Sequence, residues 1–219
     1  MPEKIHADVP LSFFEYRAIH QEPIFDLQGF SSEVLRSVFG AFRSFNVSLE
    51  NVSYKQNPLN FGEVGTTFVL FGGKLAFTVG LGSTVMAVHN PNWSELGLIT
   101  SVAKAGMAAV LSGGSVRLER QRATLGIHLK PASGSMKDLV STLAQPTVTD
   151  FIGSDVRGYG ISVYREDSVW VVDASVSYPD ALFVRIDRIL APNVPFEEIA
   201  SKLMNDELRL LELLRLEVE

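Results

Sequence analysis

Cysteine is absent from the 219-residue chain. Disulfides, thiolate nucleophiles and cysteine-ligated metals are therefore excluded, and the composition suits a reducing compartment. Histidine is scarce. His6, His20, His89 and His128 show no helical or strand spacing that would bring two of them onto one metal. No serine stands in a glycine-flanked nucleophile elbow. The pairs Gly72-Gly73 and Gly113-Gly114 do not join a strand to a helix with the lysine that a phosphate loop needs. The residues thus predict no catalytic constellation, no metal and no cofactor. An excess of basic charge is also missing. The formal net charge is −6, which disfavours a general nucleic-acid-binding surface. No run of about 18 uninterrupted apolar residues occurs; the nearest, residues 96–111, is broken by Lys104. Residues 1–10 mix acids, a lysine and a histidine, without the apolar core of a signal peptide. The expectation is a soluble cytoplasmic protein with neither nucleic acid nor membrane as a partner.

What is present is material for a core. Apolar residues make up 46% of the chain and charged residues 20%, a globular balance that argues against extensive disorder. The most regular stretch is 158–219. Residues 159–164, 168–177 and 181–189 are rich in β-branched and aromatic side chains, as strands are. A two-residue turn at Glu166-Asp167 sets Val163 opposite Trp170 and Ile161 opposite Val172. A three-residue turn at 178–180 sets Asp173 opposite Arg185. With these turns Ile161, Val163, Trp170, Val172, Ala174, Val176, Leu182, Val184 and Ile186 share one apolar face, the pattern of an antiparallel meander.

A helix follows. Pro195 suits its first turn, and Glu197 and Glu198 sit where the helix dipole favours negative charge. Phe196, Ile199, Ala200, Leu203 and Met204 form one apolar stripe. Beyond Asp206 the leucines spread over more than one stripe, leaving only Arg209, Glu212 and Arg215 as a polar strip. Such an end needs a second partner. Leu210, Leu213 and Leu214 are the candidate interface residues, for another copy of the chain or for a different protein. The alternative is that this flank closes against the helix near Trp93.

The first half has the same order of elements. A strand over 11–21 precedes a helix over 31–45, capped by Ser31 or Ser32, with Leu35, Val38, Phe39, Phe42 and Phe45 at helical spacing. The three phenylalanines read as a core stripe more readily than as an aromatic ligand box. Residues 47–56 alternate with one slip, as a bulged strand does. Gly72-Gly73 predicts a hairpin that pairs Leu70 with Leu75 and Phe68 with Phe77. Asn92 caps the next helix, whose Gly97 and Gly106 beside alanines predict close packing. Residues 116–130 read as a long strand kinked near Arg120, residues 135–144 as a short helix, and residues 146–158 as irregular.

The fold class expected is α+β in two similar halves, 1–113 and 114–219. Each is a strand-helix unit, then an antiparallel meander, then a closing helix, and an internal duplication would account for the echo. Ligand-binding candidates are His128, on a strand face with Arg122 and Lys130, and the Asp173–Arg185 pair. If that face lines a cavity, the pair orients a ligand; if it faces water, it is a cross-strand ion pair contributing at most about 1 kcal/mol. Arg117, Arg120 and Arg122 form a small basic cluster, which reads as a solvated strand face before an anion site. The function expected is self-association or protein binding through the C-terminal helix. The alternative is a small-molecule binding module with an apolar pocket between two sheets, and the third reading is an enzyme of undefined type.

Overall fold

A computed structural model of the chain describes residues 4–28, 32–57, 60–113, 116–133 and 160–218. The expected helix at 135–144 and the irregular stretch 146–158 lie outside them. The protein is mixed α+β. Its strands are β1 (Ile5–His20), β2 (Val52–Asn57), β3 (Asn60–Leu70), β4 (Leu75–Gly80), β5 (Ser83–His89), β6 (Leu118–Pro131), β7 (Ile161–Tyr164), β8 (Ser168–Ala174), β9 (Leu182–Leu190) and β10 (Leu216–Glu217). The helices are α1 (Glu33–Phe42), α2 (Leu96–Ser112) and α3 (Phe196–Leu214). One large, mainly antiparallel sheet forms, ordered β2-β3-β4-β5-β1-β6-β9-β8-β7, with β10 pairing β1 in parallel. This corrects the expectation of two sheets. By Cα packing the chain divides into two compact units, interleaved in sequence. One comprises Met1–Phe13, Thr124–Arg188 and Ser201–Glu219, the other Phe14–Ala123 and Ile189–Ala200.

In the second of these units the hairpin β3–β4 has the register that Gly72-Gly73 dictates, with Phe68 opposite Phe77 and Leu70 opposite Leu75. Both glycines take left-handed φ values of 65° and 95°, which a side chain would resist. Ser32 caps α1: its Oγ accepts from Leu35 N (3.2 Å) and donates to Asp26 (3.0 Å), which also accepts from Glu33 N (3.0 Å). The helix is shorter than the expected 31–45, because residues 43–45 tighten into a 3-10 turn. Val34, Val38 and Phe42 form its buried stripe. The Phe42 ring meets Phe68 and Phe77 edge-on, at centroid distances of 5.6 and 5.0 Å, the geometry the ring quadrupoles favour.

Gly106 of α2 lies against those same rings. A Cβ there would stand 2.6 Å from Phe77 and 2.8 Å from Phe42, so close packing holds for Gly106, whereas Gly97 has open space. With the turn Trp93–Glu95, α2 is the one helix among the described residues long and apolar enough to cross a membrane. Its Val102, Ala103, Gly106 and Val110 are buried within this unit. A second aromatic group, Phe14, Tyr16, Trp93 and Phe196, packs edge-to-face. Beside it Tyr16 donates to Gln121, whose amide donates to the carbonyls of Ala191 and Val194 at 2.9 Å each, holding the approach to α3.

In the other unit β7 and β8 pair as expected, Ile161 opposite Val172 and Val163 opposite Trp170. The β8–β9 register differs. Asp173 faces Phe183, and Arg185 faces Val171. The turn is longer than three residues because Ser175 Oγ accepts from Ser177 N (3.2 Å) and Tyr178 N (3.0 Å). That local turn takes Val176 out of the strand and leaves it fully exposed. The displacement is even, so every side chain keeps its face: Val172, Leu182, Val184 and Ile186 stay buried together. The part of α3 in this unit is anchored by Arg188, whose Nε and Nη2 donate to Asp206 at 2.6 and 2.9 Å. Leu203, Leu210 and Leu214 are buried.

Candidate functional site

A concavity lies in the unit that contains α1. It is a cleft of about 510 Å³ between that helix and the β2–β3 hairpin, a size that suits a small molecule. Val52, Tyr54 and Gln56 alternate along β2 and so share one face. Thr66 and Phe68 of β3 lie opposite Tyr54 and Val52 and extend that face into a floor. Ser32, Leu35, Arg36 and Phe39 of α1 form the other wall, and Leu49 stands at the margin. The cleft exists because α1 has two apolar flanks. Val34, Val38 and Phe42 are used up in the core, whereas Leu35 and Phe39 are only half-buried. Among the described residues β2 is also the edge strand of the sheet, and none of the described strands closes the floor beyond it.

Two lining side chains expose much apolar surface: Leu49 is 76% and Tyr54 51% accessible. Polar groups are few. Tyr54 Oη donates to Gln56 Oε1 (3.2 Å), which leaves the Gln56 amide nitrogen as a donor. Among the described residues of the lining, Arg36 is the one that carries a charge. Thr66 Oγ1 is buried in the floor with no hydrogen-bond partner, a cost of about 1–3 kcal/mol. That oxygen has no open surface, so it destabilises the floor without presenting a contact.

The residues expected to bind a ligand lie elsewhere, on β6, β8 and β9. His128 is buried against the rings of Tyr178 and Phe183, at 5.1 and 4.9 Å. Its Nδ1 lies 2.9 Å from Ser175 Oγ. Since that oxygen already accepts two backbone N–H groups, its own O–H is the donor to Nδ1. The imidazole is therefore neutral with its proton on Nε2, and burial pushes its pKa below the ordinary 6.5. Asp173 folds over Gly160 and accepts from Ala174 N (2.7 Å).

Arg185 pairs with Asp187 on its own strand, Nε to Oδ2 2.9 Å, rather than with Asp173. The N–H does not aim at that oxygen, so this is an ion pair without a hydrogen bond. Asp187 also accepts from Thr124 Oγ1 at 2.6 Å. The three residues share a sheet face, yet each is engaged by its own neighbours, and no described cavity brings them together. Of the interface candidates, Leu210 and Leu214 are buried in the fold, while Leu213 is 59% exposed and Leu208, on the same helix, 58%. Among the described residues no cluster of acids and histidines could hold a metal. Arg117, Arg120 and Arg122 are exposed, with Arg120 beside Glu119 at 3.9 Å.

The sequence reading missed the cleft. The signal was there in Val52 and Tyr54 on a short strand, in Leu49 of the turn that precedes it, and in Phe39, which lies about 60° around the helix from Phe42. No protein-family model matches the chain and no curated protein matches it, so the site stands on its own geometry.

Proposed function

We propose that the protein is a binding module for a small, mainly apolar molecule held between α1 and the β2–β3 hairpin. The observation that carries this is an open, apolar-lined cleft of about 510 Å³ rimmed by exposed Leu49 and Tyr54. A water-filled wall of this kind forgoes roughly 25 cal/mol for each Å² of apolar surface left uncovered, and a ligand recovers that term. The test is titration with phenylnaphthylamine, a neutral dye that brightens in apolar surroundings. Saturable binding of one dye per chain, lost in Leu49→Glu, supports the reading. Leu49 is exposed, so that change spares the fold. A flat titration of the folded wild type would sink it.

A second reading is self-association through α3, favoured by the exposed Leu208 and Leu213. Light scattering decides it: a dimer that dissociates in Leu213→Glu supports it, and a monomer at tens of micromolar refutes it. We also propose that the chain arose by duplication of a strand–meander–helix unit. In the sheet order β5 adjoins β1 and β9 adjoins β6, so each meander ends beside the strand that opens its half. Superposition of β3–β4–β5–α2 on β7–β8–β9–α3 in an experimental structure checks this; a mismatch in strand direction or helix side would exclude it.

A further inference from the structure

We infer that the turn between β8 and β9 is an acid-operated latch, closed while His128 is neutral and released when that ring takes up a proton. The latch is independent of the cleft and turns on one hydroxyl group.

Ser175 Oγ is the node of the turn. It accepts from Ser177 N (3.2 Å) and Tyr178 N (3.0 Å), and it lies 2.9 Å from His128 Nδ1. A hydroxyl oxygen has two lone pairs and one proton. Both lone pairs are taken by the backbone amides, so the proton goes to Nδ1 and the set is complete. A protonated imidazole carries a hydrogen on each nitrogen. Nδ1 would then aim a third N–H at an oxygen with no lone pair left, and the serine proton would lose its acceptor. One of the three partners must leave. The ring is buried against Tyr178 and Phe183, at 5.1 and 4.9 Å. The two amides belong to the turn, and the turn is the part that can move.

The turn is lightly held. Val176, Ser177, Pro179 and Asp180 are exposed. Asp180 takes a left-handed φ of 58°, which a residue with a side chain adopts less readily than glycine. One backbone bond, Ser175 N to Ala181 O at 2.8 Å, closes the base.

The charged groups on this sheet face do not balance a proton on the ring. On β6, Lys130 is exposed two residues away and opposes a second cation, and Arg122, further off, has a partner of its own. On β9, beyond Phe183, Arg185 and Asp187 pair with each other. On β8, Asp173 accepts from Ala174 N. In the turn, Tyr178 presents its ring and Asp180 faces water. The adjoining β1 lays Phe13 against Gly126, and alternation puts the uncharged Val9 and Leu11 on the same face. Among the described residues no carboxylate bonds the ring. Burial, which already holds its pKa below 6.5, acts in the same direction.

The experiment follows amide hydrogen exchange by NMR in the full chain, corrected for the intrinsic pH dependence of exchange. An opened turn frees His128 to titrate near its ordinary value, so opening should be about tenfold more frequent at about pH 5.5 than at about pH 7.5. Protection at Ser177 and Tyr178 should fall by that factor, while Val184 and Ile186 in β9 keep theirs. In Ser175→Ala, a half-buried turn position, protection at neutral pH should already be at the acid level and no longer respond to pH. In His128→Asn, whose Oδ1 accepts from Ser175 but does not titrate, protection should persist in acid. If the wild-type turn stays protected in acid, the latch is refuted, because the ring then stays neutral or takes its proton without disturbing the node. Opening of His128→Asn in acid, as in the wild type, would assign the response to another group and overturn the inference. A tenfold fall that persists in Ser175→Ala overturns it as well, and that variant changes no core residue, so the test stands even where His128→Asn does not fold.

Discussion

Helices α1 and α3 both carry more apolar surface than one stripe needs, and the structure treats the surplus in opposite ways. On α3 most of it is covered: Leu203, Leu210 and Leu214 are buried, and Arg188 holds Asp206 from the adjoining strand. On α1 one flank is closed by Phe42 and the other, with Leu35 and Phe39, borders the cleft. Apolar surplus in a sequence is therefore ambiguous. It becomes core where large side chains face it, and a cleft where the facing element is a short edge strand with exposed residues, Tyr54 on the strand and Leu49 in the turn before it.

Changing the two sides of each helix in turn tests that contrast. The largest effect is expected for Phe42→Ala, which empties the space between Phe68, Phe77 and Gly106. It should lower stability by about 4 kcal/mol, measured by denaturant unfolding, while Phe39→Ala should cost well under half as much and act mainly on dye binding. Equal losses at the two positions would mean that Phe39 is core and the cleft is closed in solution. Next is Arg188→Ala, which strands the buried Asp206 carboxylate and should cost about 3 kcal/mol. A loss near zero would show the pair to be solvated and α3 anchored by its leucines alone.

On α3 itself, Leu210→Ala should cost about 2–3 kcal/mol and Leu213→Ala under about 0.5 kcal/mol. A large effect of Leu213 in unfolding that depends on protein concentration would transfer its flank from solvent to an interface.

The smallest effect concerns pH. His20 is buried in the unit that contains α1, its Nδ1 3.3 Å from the Leu81 carbonyl and its Nε2 3.0 Å from Thr84 Oγ1. Burial lowers its pKa, with the Leu81 hydrogen bond opposing, and burial lowers that of His128 in the other unit. Both are depressed below the unfolded value of 6.5, so as pH falls through that value the unfolded chain takes up protons that the folded chain refuses. Stability is fully present above 6.5 and is lost on acidification below it. Denaturant midpoints between about pH 7 and about pH 5 should fall, and the slope should shrink in His20→Gln. A midpoint that holds constant, or rises, would show that both rings accept a proton in place.

Much of the fold was legible. Gly72-Gly73 set the β3–β4 pairing, because a tight reversal leaves no choice of partner once its two central residues are known. Ser32 and Asn92 marked helix starts through side chains that accept the first free amides. The β8–β9 face was legible and its pairing was not. Parity is determined by alternation, whereas the length of the connection depends on Ser175 folding back on two backbone amides, which alternation does not report. The same holds for Asp173 and Arg185, read as partners on a register two positions out. The candidate site was the least legible part. Its residues come from α1, a short turn and two strands, and none of them forms a local motif.

Local rules thus determined what each segment is. The caps, the glycines at left-handed φ and the even-odd alternation of strands act over a few residues, and their energies do not depend on distant partners. Which apolar flank ends up covered was decided only by the tertiary structure. Coverage depends on what the sheet order brings opposite, and burial free energy is non-directional: a leucine gains as much against one apolar neighbour as against another. Leu210 and Phe39 look alike in sequence. Leu210 is buried, whereas Phe39 is half-buried beside the β2–β3 hairpin, and that difference makes one a core residue and the other the wall of a cleft.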